Sequence, residues 1–129
     1  MLLFIDTTDQ DSAKLTLISN SKTIDHIFKV SHNLSEVLIG QIQTFLKKQK
    51  IKFADLDKIA VVTGPGHFSK IRTAVAAANA LAYGLGIPVV SISAGLKIDW
   101  QQLAKQKGKR MTQPQYGREP NITLPKKRS

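Results

Sequence analysis

The sequence predicts an α/β fold built on a mixed sheet, with its elements in the order β-β-β-α-β-α-β, from three observations. Short apolar runs at 2–5, 59–63 and 89–93 have the length and continuity of buried strands. Two longer segments between them repeat apolar residues at helical spacing, and strands bridged by helices require parallel crossovers. The stretch 13–30 alternates apolar and polar residues around Asn20-Ser21-Lys22, which is a hairpin signature.

Each element has its own signal. Leu2 to Ile5 is uninterrupted and ends at Asp6, too short for a signal segment or a membrane span. In Ala13 to Ile18, Leu15 and Leu17 alternate with Lys14 and Thr16. In Ile24 to Val30, the expected inward set is Ile24, His26, Phe28 and Val30. A helix is expected from Asn33, whose amide would cap free N–H groups while Glu36 returns the bond, to about Gln49. Gly64-Pro65-Gly66 follows the strand 59–63 and precedes an alanine-rich helix from about Phe68 to Gly84. After Pro88 comes the last strand, Val89 to Ser93. Ile98 to Gln106 predicts a short helix with Trp100, Leu103 and Ala104 as its apolar points. Pro114, Pro120 and Pro125 keep the remainder from continuing it.

Length and charge divide the chain. At 129 residues it holds one core, and 42% hydrophobic against 22% charged residues is a globular composition. Of the net charge of +10, +7 lies in residues 97–129, so a nearly balanced body carries a basic extension suited to a polyanion. Cysteine is absent, which excludes a disulfide scaffold, a thiolate zinc site and a cysteine nucleophile, and is compatible with a reducing cytoplasm.

Few residues suggest chemistry. Thr63 to Arg72 joins a strand to a helix start, where Gly64 and Gly66 would bring N–H groups near an anion and Arg72 would meet it. The spacing is not that of a nucleotide-binding P-loop, and a tight connecting turn is the alternative. Asp6, Asp9 and Asp11 crowd a turn without glycine, an arrangement that repels phosphate unless a cation intervenes, and a solvated turn is expected. His32 and Glu36 share a helix face at i and i+4 but lack further ligands, so no metal site, catalytic residue or cofactor is expected.

The helices are more informative. On a helical wheel Leu34, Val37, Leu38, Ile39, Ile42, Phe45 and Leu46 cover an arc of roughly 200°, wider than one sheet face buries. In the second helix Ile71, Ala74, Val75, Ala78, Leu81, Ala82 and Leu85 form a core stripe. Thr73, Ala76, Ala77, Ala80 and Gly84 form a separate stripe of small residues. Either a partner helix packs on these surfaces, or the two helices pack only on each other.

These features together resemble a known family. Leu3-Phe4-Ile5-Asp6-Thr7-Thr8, His32, the run at 56–60 leading into Gly64-Pro65-Gly66-His67-Phe68-Ser69-Lys70-Ile71-Arg72, Ala80-Leu81-Ala82 and Ile87 to Ser93 resemble the TsaB (YeaZ-type) family. Its members act in synthesis of threonylcarbamoyladenosine on tRNA. Pro114-Gln115-Tyr116-Gly117-Arg118 looks like the segment that ends typical members. Lys70 and Thr73 stand where the family usually has glycine.

The resemblance implies a single lobe of the actin-like ATPase (ribonuclease H-like) class over residues 1–96. Residues 97–129 would form a short helix and an extended basic tail, giving a minimal form without most of the second lobe. It also implies a non-catalytic cytoplasmic scaffold, without cofactor or membrane association, that supports the TsaD transferase. The ATPase TsaE and tRNA would join through the complex, and a homodimer is an alternative assembly. The implied partner interface is Val37, Ile39, Gln43, Leu46, Thr73, Ala76, Ala77, Ala80 and Gly84. The implied tRNA contacts are Lys107, Lys109, Arg110, Arg118, Lys126, Lys127 and Arg128. The competing reading is a vestigial enzyme of the same fold, ATP-binding or metal-dependent, of the kind once labelled glycopeptidase-like.

Overall fold

The computed structural model describes residues 1–20, 22–95 and 98–105, together with Gly108, Arg110 and Thr112. Five strands, β1 (Leu2–Asp6), β2 (Ser12–Ser19), β3 (Lys22–Lys29), β4 (Lys58–Gly64) and β5 (Val89–Ser93), form one sheet in the order β3-β2-β1-β4-β5. The first three pair antiparallel, whereas β1–β4 and β4–β5 are parallel. This is the predicted mixed sheet. Its crossovers are α1 (Leu34–Lys48) and α2 (Phe68–Leu85), and α3 (Trp100–Lys105) follows β5.

Central β1 is buried on both faces, as its unbroken apolar run requires: Leu2, Leu3, Phe4 and Ile5 are all at most 3% exposed. Leu3, Ile5, Leu15, Leu17, Ile59 and Val61 face α1 and α2, and this layer holds the larger core. Leu2, Phe4, Ala60, Val62 and Val90 point the other way. Leu103 and Trp100 of α3 cover them, with the Trp100 ring edge-on to Phe4 at 5.2 Å between centroids. These two side chains thus seal the second face, and the packed body continues past residue 96.

Two local expectations are corrected. Asn33 makes no side-chain cap; its carbonyl accepts the Glu36 and Val37 N–H groups at 3.0 and 3.2 Å. Ser31 instead donates to the Asn33 amide oxygen at 3.4 Å. Of the expected inward set only Phe28 on β3 and Val30 just after it are buried, and Ile24 is 44% exposed. β3 is an edge strand, so the helix layer reaches one end of it only. There His26 stacks between Phe28 and Phe45 and pairs its Nε2 with Gln41 Oε1 at 2.8 Å, a packing role.

Candidate functional site

On α2 the core stripe turns Ile71, Ala74, Val75, Ala78 and Ala82 inward, which leaves the small residues outside. Ala76, Ala80 and Gly84 are exposed, and Thr73 and Ala77 are half-buried. An added Cβ at Gly84 would meet nothing within 4 Å. Thr73 donates its hydroxyl to the Ser69 carbonyl at 3.0 Å, one turn back in the same helix. Tyr83, 74% exposed, and Phe68, 53% exposed, border this stripe. Sequence reasoning passed over both, although Tyr83 falls about 20° from Ala76 on the wheel.

The contribution of α1 is smaller than its apolar arc implies. Gln43 is exposed, Ile39 is 38% exposed, and Val37 is half-buried against the core. Leu46 is 2% exposed and belongs to the core with Leu38 and Ile42, so it offers no surface to a partner. α2 packs beside α1, and His26 of β3 stacks on Phe45 and pairs with Gln41, so α1 is covered from its flanks as well as from below.

The glycine turn connects β4 to α2. Gly64 has φ 115°, a conformation that favours glycine, and its carbonyl accepts the Ala94 N–H at 2.9 Å. Arg72 lies with its guanidinium over the Phe68 ring, 5.2 Å from the centroid. It lines a cavity of about 540 Å³ with Ser69, Thr73, Ala76, Asn79 and Thr112. A second cavity, about 610 Å³, opens at the carboxyl ends of the strands between His32, Ser35, His67, Ser69, Lys70 and Asp11. Arg72 does not line it, and neither cavity is lined by Gly64 or Gly66, so the three residues named for an anion do not converge on either.

The acidic turn is closed by its own hydrogen bonds. Asp6 Oδ1 accepts the Thr8 N–H at 2.9 Å and the Thr8 hydroxyl at 2.6 Å. Asp9 Oδ2 accepts the Ser12 hydroxyl at 2.9 Å and the Asp11 N–H at 3.2 Å. The Ser12 hydroxyl first, then the Asp11 N–H, hold the Asp9 carboxyl below its ordinary range, and the nearby Lys70 charge adds to them. The Lys70 ammonium donates to the carbonyls of Asp9, Gln10 and Ser12, the last two at 3.3 and 3.2 Å. Lys70 thereby clamps the β1–β2 loop to α2. Among the described residues no group of three His, Asp or Glu side chains is placed to hold a metal ion. His32 and Glu36 are both exposed.

Beyond α3, Asn79 on α2 holds Thr112 through a reciprocal pair of hydrogen bonds, and Ser91 Oγ meets the Thr112 hydroxyl. Arg110 is exposed beside Tyr83 and Pro88. Lys107, Lys109, Arg118, Lys126, Lys127 and Arg128, with the Pro114–Arg118 segment, lie outside the described residues. No helix among the described residues is long and apolar enough to cross a membrane.

Comparison with known proteins places this architecture. Residues 28–98, more than half the chain, match the family described as TsaD: tRNA N6-adenosine threonylcarbamoyltransferase. The tRNA threonylcarbamoyladenosine biosynthesis protein TsaB of Buchnera aphidicola subsp. Acyrthosiphon pisum is 33% identical over 70 residues, covering 48% of this chain and 32% of that protein. TsaB of Bacillus subtilis is 28% identical over 92 residues, covering 71% of this chain and 40% of the relative. The solved structure of YeaZ from Pseudomonas aeruginosa superposes with a TM-score of 0.66 at 25% identity, over 71% of this chain and 43% of that one. The chain thus spans 32–40% of the length of these curated TsaB relatives. With the β3-β2-β1-β4-β5 sheet, the exposed small-residue face of α2 and these matches in hand, the chain belongs to the TsaD family and is a TsaB/YeaZ-like protein with an actin-like fold.

Proposed function

We propose that this protein is a non-catalytic scaffold in the formation of N6-threonylcarbamoyladenosine on tRNA, and that it binds the TsaD transferase through the outer face of α2 with the adjoining edge of α1. The observation that carries this reading is the row Ala76, Ala80 and Gly84, exposed on a folded monomer and bordered by Tyr83 and Phe68. Small residues let a partner helix approach closely, and flanking aromatics supply the apolar area that interface centres use. Thr73 and Ala77 flank that row by helical spacing, and in this reading Ile39 and Gln43 of α1 complete the interface. TsaE and tRNA join through the assembled complex, and a homodimer through this face is the competing occupancy.

The test is co-purification with TsaD. Ala80→Arg places a long charged side chain on an exposed site, so the variant keeps its thermal midpoint while the complex is lost. Capture of TsaD at wild-type yield overturns the assignment of the face. The basic residues Lys107, Lys109, Arg110, Arg118, Lys126, Lys127 and Arg128 extend the reading to tRNA phosphates. Changing Lys126, Lys127 and Arg128 to Ser should flatten the dependence of log affinity on log salt for tRNA binding by the complex.

A further inference from the structure

We propose that the free edge of β3 is a second interaction surface, which pairs antiparallel with β3 of another copy of this chain and joins two five-stranded sheets into one. The inference is independent of the α2 face.

β3 ends the sheet, so one side of its backbone has no strand partner among the described elements. Which groups face outward follows from the ladder. Val30 donates to the Asp11 carbonyl at 2.8 Å, in the same register that pairs Lys29 with Ser12. Even-numbered residues therefore direct N–H and C=O groups toward β2, and Thr23, Asp25, Ile27 and Lys29 direct theirs outward. These odd-numbered residues also share the face of the sheet on which Asp25 accepts the Thr16 hydroxyl at 2.7 Å.

The side chains select one register. A two-fold axis through Ile27 sets Ile27 against its own copy and places Asp25 opposite Lys29 on both sides of the axis. On the other face the same register puts His26 opposite Phe28, the residue it already stacks on within the chain. An axis through Asp25 or through Lys29 would oppose like charges at the centre, and an axis through His26 would leave Asp25 opposite Ile27. Cross-strand pairs of opposite charge and of apolar residues stabilise a ladder, and directly opposed like charges destabilise it.

The residues are available for this. Ile27 is 63% exposed, and Asp25 and Lys29 are exposed without an ion pair among the described residues. An edge lysine ordinarily discourages pairing, but in this register each Lys29 meets a carboxylate. On the helix side, Val37, Thr44 and Gly40 follow Gln41 around α1 toward the edge, and Gly40 has open space around it.

Sedimentation of the full chain across a concentration series, with hydrogen exchange on the same samples, tests the proposal. A monomer–dimer equilibrium is expected. The Asp25 and Ile27 amides should gain protection as concentration rises, while the inward His26 and Phe28 amides, already bonded to β2, should not change. Asp25→Lys or Lys29→Asp alone should weaken the dimer roughly tenfold. The double swap Asp25→Lys with Lys29→Asp should restore it, which a merely structural loss at Asp25 would not do. Ile27→Pro removes an outward N–H only and should give a monomer with the wild-type circular dichroism spectrum. A chain that stays monomeric throughout, a double swap as weak as the singles, or a dimer lost on Ala80→Arg and retained on Ile27→Pro overturns the proposal.

Discussion

Asn79 holds Thr112 as a neighbouring strand would: its amide N–H donates to the Thr112 carbonyl at 2.8 Å, and its amide oxygen accepts the Thr112 N–H at 2.8 Å. One side chain on α2 thus satisfies both backbone groups of a residue 33 positions on, and Thr112 is only 9% exposed. Asn79→Ala leaves both groups without those partners. The expected loss is about 1–3 kcal/mol for each one that water does not reach. Asn79→Asp keeps the acceptor and loses the donor, so its loss should fall between wild type and Asn79→Ala in a urea titration. Both variants should be cut by protease beyond Lys105 sooner than wild type.

Lys70 governs the β1–β2 loop. Replacing it by Met keeps the aliphatic length but removes the donor shared by the Asp9, Gln10 and Ser12 carbonyls. The expected cost is about 1–2 kcal/mol, with faster amide exchange confined to the loop. Substituting glycine, as the resemblance suggests is usual at this position, should loosen the loop in the same way.

Asp9 makes a pH prediction whose sign follows from its lowered pKa. The ordinary value is 3.8 and the folded value lies below it, so the stabilisation is present above about pH 4 and fades as pH falls through the folded value. Wild type should therefore exceed Asp9→Asn in stability at neutral pH, and the gap should close in acid. Ser12→Ala should narrow the gap more than Lys70→Met does, because the Ser12 hydroxyl is the larger cause. Urea midpoints measured across the acid range check both the sign and the order.

How far these sites were legible depends on where their partners lie in the chain. Periodicity located α2 within one residue at its end, because Ile71, Ala74, Val75 and Ala78 repeat on one face and Gly86, with φ 69°, stops the helix. The small stripe was legible for the same reason. The Lys70 clamp was not, since its acceptors are backbone carbonyls 58 to 61 residues away, and carbonyls carry no residue-type signal. Thr112 on Asn79 is hidden likewise. Leu46 and Ile24 were misplaced because the pattern says which residues share a face and not how far neighbouring elements extend over it. Asn33 has the residue type of a cap, but its side chain makes no cap bond, so residue type alone did not settle that helix start.

Leu46 and Ile39 separate the core from the proposed interface on one helix. Leu46→Ala removes a buried side chain among Leu38 and Ile42 and should cost about 2–5 kcal/mol, with no selective effect on partner binding. Ile39→Ala, at a site 38% exposed, should change stability by less than about 1 kcal/mol while weakening capture of TsaD. Equal effects of both variants on the unfolding midpoint would place Ile39 in the core instead.

Three glycines should respond to alanine in opposite directions. Gly40 and Gly84 lie in helices where an added Cβ would have nothing within 4 Å, so alanine at either should stabilise the monomer by about 0.5–1 kcal/mol through reduced unfolded-state freedom. Gly108 has φ 72°, and a Cβ there would stand 2.9 Å from Pro88 Cβ and 3.0 Å from the Val89 carbonyl oxygen. The backbone conformation and the contact both oppose a side chain, so Gly108→Ala should lose about 2 kcal/mol or more. Thermal unfolding of the three variants in one buffer decides this, and a neutral Gly108→Ala would mean that Gly108 does not pack on β5. Gly84 then separates folding from binding. In the isolated chain Gly84→Ala reads helix stability, whereas Gly84→Arg should leave the monomer folded and block a helix that approaches along Ala76 and Ala80.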